Sequence, residues 1–219
     1  MKHTEKELQA LKDAVSQMWM LVMSQLEKSE QAFINNDMEL AREVVSREKR
    51  VDAFELKIDS DCENYIALYA PVAIDLRLVL SLIKISITLE RIGDFAEGIA
   101  RHVIDADCAT IEPEIMKELR CEDMFAILRS MLSDSFTAFY SEDTVLSGRI
   151  LSKDDEIDHI YRRSIDVLAE YLADHTSLIR CGLKTMLLIR KLERIGDHCS
   201  NIVEEIVFYV DAKVLKHQG

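Results

Sequence analysis

The sequence Leu-Glu-Arg-Ile-Gly-Asp occurs at residues 89–94 and again, unchanged, at residues 192–197. The two copies lie 192 − 89 = 103 residues apart in a chain of 219. Other residues repeat at the same offset, for example Arg77 and Arg180. The chain therefore contains two copies of one structural unit, and a role found in one copy is expected in the other.

The composition favours helices. Hydrophobic residues make up 48% of the chain, which suffices for a core, and only 6 Gly and 2 Pro are available for turns. Leu, Ala, Glu, Lys, Met and Arg predominate, and these side chains keep most of their rotamer freedom in a helix. We therefore predict an all-α protein with few, long helices.

Turn signals divide the chain into six helices. Asp37 is suited to cap the second helix, Pro71 ends it, and Pro113 fits the first turn of the fourth. The predicted helices cover residues 4–35, 38–69, 74–105, 113–140, 142–174 and 177 onward, with a loop at 107–112. Short connections make neighbouring helices antiparallel. We predict two similar antiparallel three-helix bundles in tandem, at residues 1–106 and 113–219.

The repeated segment carries one acidic pair in each copy, Glu90 with Asp94 and Glu193 with Asp197. Residues four apart lie on the same face of a helix, so the two carboxylates of a pair repel each other. In the first copy this face is polar and also carries Glu97. A hard cation takes carboxylate oxygen as ligand and would relieve the repulsion.

A second acidic pair precedes each copy. Glu48 and Asp52 lie on the predicted second helix, and Asp154 and Asp158 lie at an offset of 106 on the predicted fifth. Each bundle therefore offers two acidic pairs on two helices. Metal binding becomes a better interpretation than it would be for one isolated pair.

A glycine stands between the carboxylates of each repeated pair, Gly93 in the first copy and Gly196 in the second. Glycine within a helix costs about 1 kcal/mol relative to alanine, which suggests that another group approaches the backbone closely. Two alternatives remain. The acids could form a solvated stripe, or Arg91 and Arg194 could neutralise them in ordinary salt bridges of a metal-free helical scaffold.

The motifs typical of enzymes are absent or incomplete. Glu156-x-x-His159 has the spacing of carboxylate-bridged di-iron bundles, but it occurs once, whereas such sites need two copies. A di-metal enzyme is therefore the weaker alternative. No nucleophile–base motif or phosphate-binding glycine-rich loop is present, so we do not expect an enzyme. His198 corresponds to Phe95 and is not expected to be a ligand; Cys199 matches the apolar stripe and is expected in the core.

The net charge is −13, from 27 basic and 40 acidic residues. It argues against nucleic acid as a partner and against capture of free phosphate by a basic pocket. It fits metal binding or docking to a basic protein.

The five cysteines are odd in number and show no Cys-x-x-Cys, which favours reduced thiols in a cytoplasmic protein. The N-terminal residues resemble no signal peptide, and the longest apolar runs, 18–23 and 78–83, are too short to span a bilayer. We therefore expect no direct membrane insertion. The run at 18–23 is apolar on all sides, so helix one should contact either the other bundle or another subunit.

Residues 69–77, Tyr-Ala-Pro-Val-Ala-Ile-Asp-Leu-Arg, together with the segments at 89–94 and 192–198, resemble the PhoU family of bacterial phosphate-regulon regulators. The resemblance covers nearly the whole chain. It implies two similar three-helix bundles, each with a Glu/Asp-x-x-x-Asp signature. In some members these acids bind multinuclear iron, zinc or other metal clusters on the surface.

The family pattern and the acidic pairs identified above together give the candidate metal ligands of this sequence. They are Glu48, Asp52, Glu90, Asp94 and Glu97 in the first bundle, and Asp154, Asp158, Glu193, Asp197 and Asn201 in the second. The first copy departs from the pattern. Gly98 stands where the family often has the asparagine, Thr88 where it often has aspartate, and Glu48 where it often has aspartate. The first site is therefore expected to bind metal more weakly, or not at all.

The resemblance also implies a function. Such proteins are negative regulators of phosphate uptake and phosphate-regulon signalling. They act in the cytoplasm as adaptors between the ATPase subunit of the phosphate-specific ABC transporter and a phosphate-sensing histidine kinase. A homodimer is the expected oligomer.

Overall fold

The structure, a computed structural model, describes residues 3–105 and 111–214, and these residues form helices and no strand. The helices are α1 (His3–Asn35), α2 (Met38–Tyr69), α3 (Ala73–Ile104), α4 (Pro113–Glu118), α5 (Cys121–Ser141), α6 (Ser147–Asp174) and α7 (Ile179–Asp211). A short 3-10 turn, Thr176–Leu178, precedes α7. The prediction of an all-α protein is confirmed.

The first three helices begin and end within one residue of the predicted positions. Asp37 caps α2 as predicted, because its Oδ1 accepts hydrogen bonds from the backbone N–H groups of Glu39 and Leu40, each at 3.0 Å. Pro71 lies just beyond the end of α2. The predicted loop at 107–112 falls largely on residues 106–110, which lie outside the described residues.

The prediction of one helix from Pro113 to residue 140 is wrong. The chain breaks this segment into α4 and α5 at Arg120, whose φ of 55° is left-handed. The next helix begins at Ser147 and not at residue 142. Glu142, with φ of 54°, ends α5, and Asp143 Oδ1 accepts a hydrogen bond from the Val145 N–H at 2.9 Å in the intervening turn.

The helices form two three-helix bundles, α1–α3 and α5–α7, in which each helix packs on the other two. The bundles meet where α3 packs along α7. These two helices are antiparallel, since Lys84 near the start of α3 pairs with Glu205 near the end of α7, whereas Gly98 contacts Lys191. The helices that carry the two repeated segments therefore lie side by side at the centre of the molecule.

One hydrophobic core extends through both bundles. Trp19 of α1 is fully buried, stacks on Phe139 of α5 with ring centroids 5.4 Å apart, and donates a hydrogen bond to the Leu132 carbonyl at 3.2 Å. The second surface predicted for helix one is thus the other bundle. Met20, which is 55% exposed, shows that the apolar run is not buried on all sides. The residue bounds of the two repeats stay a prediction.

None of the described helices is both long enough and apolar enough to span a membrane. The four cysteines within the described residues are free and buried. The fifth, Cys108, lies outside them.

Candidate functional site

The predicted ligands form two groups, one on each bundle. The first carboxylate cluster, between α2 and α3, consists of Glu48, Asp52, Glu90, Asp94 and Glu97. The second carboxylate cluster, between α6 and α7, consists of Asp154, Asp158, Glu193 and Asp197, with Asn201 one turn further along α7. The apolar stripes of α3 and α7 turn inward, so the acidic faces of the same helices border the clusters.

The two repeated glycines allow the carboxylates of α2 and α6 to pack against the backbones of α3 and α7. A Cβ atom added to Gly196 would lie 2.7 Å from Oδ1 of Asp154, and one added to Gly93 would lie 3.3 Å from Oε1 of Glu48. Both contacts join a carboxylate on one helix to the backbone of the next. The predicted close approach at the glycines is therefore present in both bundles.

Glu48 is the buried member of the first cluster. Its Oε2 accepts a hydrogen bond from Gln25 Nε2 at 2.8 Å, while its buried Oε1 has no hydrogen-bond donor. Burial raises the pKa of Glu48 to about 7, and the negative charges of Asp94 and Asp52 act in the same direction, against the Gln25 hydrogen bond. A substantial fraction of this carboxyl is therefore protonated near pH 7 unless a cation binds to it.

Asp154 holds the equivalent place in the second cluster. Its Oδ2 accepts a hydrogen bond from Ser200 Oγ at 2.7 Å, and its buried Oδ1 has no donor. The pKa of Asp154 is raised to about 6, mainly by burial; the charges of Asp197 and Asp158 act in the same direction, and the Ser200 hydrogen bond opposes them. The same arrangement of one satisfied and one unsatisfied oxygen occurs in both copies.

The second cluster is the more compact. Asp158, Glu193 and Asp197 can each present one oxygen such that all three lie within 4.8 Å of one another. Glu193 is 9% exposed, and its buried Oε2 has no hydrogen-bond donor. Within residues 3–105 and 111–214, no other three Asp, Glu, His or Cys side chains are so arranged.

The first cluster is looser, since Asp52 is exposed and its carboxylate does not form such a trio with Glu90 and Asp94. Burial nevertheless raises the pKa of Glu90, and the neighbouring charges of Asp94 and Asp52 add to the increase. The cluster is thus electrostatically coupled even though its oxygens are further apart.

Arginines contact the rims of both clusters. Arg91 lies 3.4 Å from Asp94 and 3.5 Å from Glu90, and Arg194 lies 2.6 Å from Asp197. Their side chains are 57% and 48% exposed, and exposed ion pairs of this kind contribute about 0–1 kcal/mol. These pairs match the salt-bridge alternative, yet they leave the buried oxygens of Glu48 and Asp154 unsatisfied.

Two predicted ligands lie at the edges. Glu97 is paired at 2.6 Å with Arg101, which lies one turn further along α3. The negative charge of Glu97 also raises the pKa of Glu48. Asn201 is half-buried and Gly98 occupies the matching position in the first bundle. These positions contribute less directly to the clusters than the paired acids do.

Sequence reasoning missed Gln25 and Ser200, which hold the buried carboxylates. Ser200 corresponds to Glu97 at the 103-residue offset, and Gln25 lies on α1, so neither stood out in a comparison of the two copies. The signal for Gln25 was a polar residue within an otherwise apolar buried face, between Val22 and Leu26.

The other motifs lie apart from the clusters. Glu156 and His159 are exposed on α6, and Glu156 faces Arg120 at 3.7 Å. His198 packs beside Phe95, with ring centroids 5.7 Å apart. Cys199 is fully buried, as predicted, and burial raises the pKa of its thiol.

Comparison with known proteins agrees with the duplicated architecture. The PhoU domain matches twice, at residues 15–103 and 121–206. The chain is 32% identical over 214 residues to the "Phosphate-specific transport system accessory protein PhoU homolog 1" of Thermotoga maritima, covering 98% of this chain and 91% of the relative.

Two solved structures are similar throughout. PhoU from Pseudomonas aeruginosa superposes with a TM-score of 0.89 at 28% identity, covering 95% of this chain and 99% of that one. The phosphate transport system regulatory protein PhoU from Streptococcus pneumoniae has a TM-score of 0.84 at 25% identity, covering 98% and 100%. The match of sequence and fold along both bundles shows that this chain belongs to the PhoU family.

Proposed function

We propose that this chain is an accessory regulatory protein of phosphate-specific transport and a negative regulator of phosphate-regulon signalling. The observation that carries the proposal is the match to PhoU proteins over 97% or more of the chain, in relatives named as accessory to that transport system. The similar Streptococcus pneumoniae structure is likewise named as a regulatory protein.

The finer role we propose is that of a cytoplasmic adaptor, which contacts the ATPase subunit of a phosphate ABC transporter and a phosphate-sensing histidine kinase. The shape supports this role, because two similar bundles joined along α3 and α7 offer two related faces. The chain would act through binding and not through catalysis. Self-association into a homodimer is part of the same proposal.

We further propose that the second carboxylate cluster holds metal, iron or zinc being the expected ions. The residues fit such a group, since Asp154 and Glu193 each bury one oxygen that has no hydrogen-bond donor. An all-oxygen donor set suits hard cations and also accommodates iron or zinc. Asp158 and Asp197 complete the set, and Ser200 orients Asp154. A bound cation would neutralise the cluster and join α6 to α7.

The regulatory role is tested by deleting the gene and measuring a phosphate-starvation reporter, such as alkaline phosphatase activity, in phosphate-rich medium. We expect high reporter activity that the wild-type gene restores to a low level. An unchanged reporter would contradict the proposal of negative regulation.

The metal proposal is tested separately by metal analysis of the purified protein and its Asp197→Asn variant. Asp166→Asn is the matched control, because Asp166 is an exposed carboxylate on α6 outside the cluster. We expect the wild type and the control to retain metal and Asp197→Asn to lose it while remaining folded. Equal metal content in all three would refute the site.

A further inference from the structure

A pocket of about 320 Å³ opens on the seam between α3 and α7, at the end of α3. Among the described residues, Arg101 and His102 from α3 and Lys184 and Lys191 from α7 line it, together with Asp105. The pocket borders the first carboxylate cluster, because Arg101 is paired with Glu97 of that cluster at 2.6 Å. A cationic pocket of this kind contrasts with the net charge of −13 for the whole chain.

Lys191 lines the pocket. It is half-buried, and its stem lies across Gly98 so closely that a Cβ atom on the glycine would be 2.7 Å from Lys191 Cε. No carboxylate among the described residues pairs with its ammonium. Partial burial of a cation without a counter-charge is unfavourable, and an anion in the pocket would remove the penalty.

The other basic groups converge on the same space. Burial lowers the pKa of His102, and the ammonium groups of Lys191 and Lys184 lower it further, so the imidazole offers a hydrogen-bond donor and the positive charge of the pocket comes from the lysines and Arg101. Lys184 Nζ donates to the Asp105 carbonyl at 3.1 Å, which fixes its position. Arg101 is paired with Glu97 at 2.6 Å, but a guanidinium has five N–H donors and can serve a second acceptor.

The duplication provides an internal comparison. The positions 103 residues away, at the other end of the seam, are Glu204 for Arg101, Glu205 for His102, Ser81 for Lys184 and Thr88 for Lys191. At that end the main cation, Lys84, is paired with Glu205 at 2.9 Å. The same helix packing therefore forms without a cationic pocket at one end, so packing alone does not require the basic residues at the other.

We propose that the pocket bounded by Arg101, His102, Lys184 and Lys191 binds a phosphate-type oxyanion, either free or as the terminal group of a small organic phosphate. Lysine and arginine form short, charge-assisted hydrogen bonds with such oxygens. Repulsion by distant acids is screened over about 8 Å at physiological ionic strength, so the charges that matter are the local ones, Lys184, Lys191 and Arg101 against Asp105 and Glu97. The proposal depends neither on the adaptor role nor on metal binding by the carboxylate clusters.

The test is calorimetric titration of the full chain with inorganic phosphate and, separately, with AMP. We expect saturable binding of at least one ligand at one site per chain. Saturation by AMP alone would identify an organic phosphate as the source, and saturation by inorganic phosphate would identify the free anion. Absence of saturable binding for both would overturn the proposal.

Two variants locate the site. Lys191→Met keeps the aliphatic stem and removes the charge, and should weaken binding about tenfold or more, as expected for a lost charged hydrogen bond. Gly98→Ala keeps every charge but displaces the Lys191 stem, and should also weaken binding. Lys84→Met, at the paired end of the seam, is the control and should leave affinity within about twofold. Equal weakening by Lys84→Met and Lys191→Met would overturn the assignment.

Discussion

Gly196 on α7 stands so close to Asp154 on α6 that a Cβ atom on the glycine would lie 2.7 Å from the aspartate Oδ1. The corresponding distance in the first bundle, from Gly93 to Glu48 Oε1, is 3.3 Å. Each glycine thus leaves the space in which a buried carboxylate of the neighbouring helix packs. The shorter aspartate needs the closer approach, because its side chain has one methylene fewer.

This relationship predicts a graded response to alanine. Gly196→Ala should displace Asp154 and disturb its hydrogen bond with Ser200, at a cost of about 1–3 kcal/mol that outweighs the gain in helix propensity. Gly93→Ala should be milder, since its neighbours lie 3.2 Å away or more. The free energies of unfolding from urea titrations measure the difference.

Gly148→Ala is the matched control for these variants. Gly148 is also helical, on α6, and a Cβ atom there meets nothing within 4 Å. This substitution should stabilise the protein by about 0.5–1 kcal/mol. If all three variants were equally stable, the packing of Glu48 and Asp154 would not require Gly93 and Gly196.

The duplicated segment was sufficient to predict the acidic pairs on α3 and α7 and their glycines, because an exact repeat with i, i+4 spacing fixes which residues share a helix face, and the upstream similarity at offset 106 added the pairs on α2 and α6. How compact each cluster is did not follow from the sequence. Only the structure shows that Asp158 closes on Glu193 and Asp197 while Asp52 stays exposed at the equivalent place. That difference arises from how α2 and α6 pack, which spacing along one helix does not encode.

The errors in helix boundaries have one physical cause. Arg120 and Glu142 adopt left-handed backbone angles, with φ of 55° and 54°. Glycine or asparagine usually marks such positions, and neither occurs there. The break at the start of α5 and the turn after Glu142 that delays α6 to Ser147 were therefore not predicted. The end of α5 was predicted to within one residue, and Asp37 and Pro71, which act through well-known local mechanisms, were identified correctly.

The difference in compactness predicts that the two clusters hold metal unequally. Asp158→Asn should reduce the metal content of the purified protein substantially, because it removes one of the three convergent oxygens. Asp52→Asn, at the equivalent exposed position, should reduce it less. Plasma emission analysis of both variants, prepared side by side, measures the metal per chain. A larger loss with Asp52→Asn would contradict this ordering.

Burial of Glu48 predicts a dependence of stability on pH in chelator-treated protein. The raised pKa, about 7, means that the folded state holds a proton on Glu48 at pH values where the unfolded chain, with an ordinary glutamate, is ionised. The contribution of the Glu48 carboxyl to the free energy of unfolding is fully present below about pH 4.5, and it is lost as the pH rises through about 7. Metal-free protein should therefore be less stable at pH 8 than at pH 5.5 because of this group.

The variant Glu48→Gln isolates that contribution. It should stabilise the metal-free protein relative to wild type by about 1–3 kcal/mol at pH 8 and have little effect at pH 5. Glu63→Gln, an exposed glutamate on the same helix, is the control and should change stability little at either pH. A pH-independent difference between Glu48→Gln and wild type would show that burial of the charge is not the cause.

The continuous core predicts that the two bundles unfold together, with Trp19 linking α1 to α5 in addition to the packing of α3 on α7. Trp19→Phe keeps an aromatic ring against Phe139 but removes the hydrogen bond to the Leu132 carbonyl, and should cost about 1–2 kcal/mol. Trp19→Ala should cost about 3–5 kcal/mol, because it leaves a cavity between α1 and α5.

Circular dichroism during urea unfolding is the suitable measurement, since Trp19 is the only tryptophan and its fluorescence is lost in both variants. We expect one transition for wild type and Trp19→Phe; two separate transitions in the wild type would mean that the bundles are independent and that the shared core does not couple them.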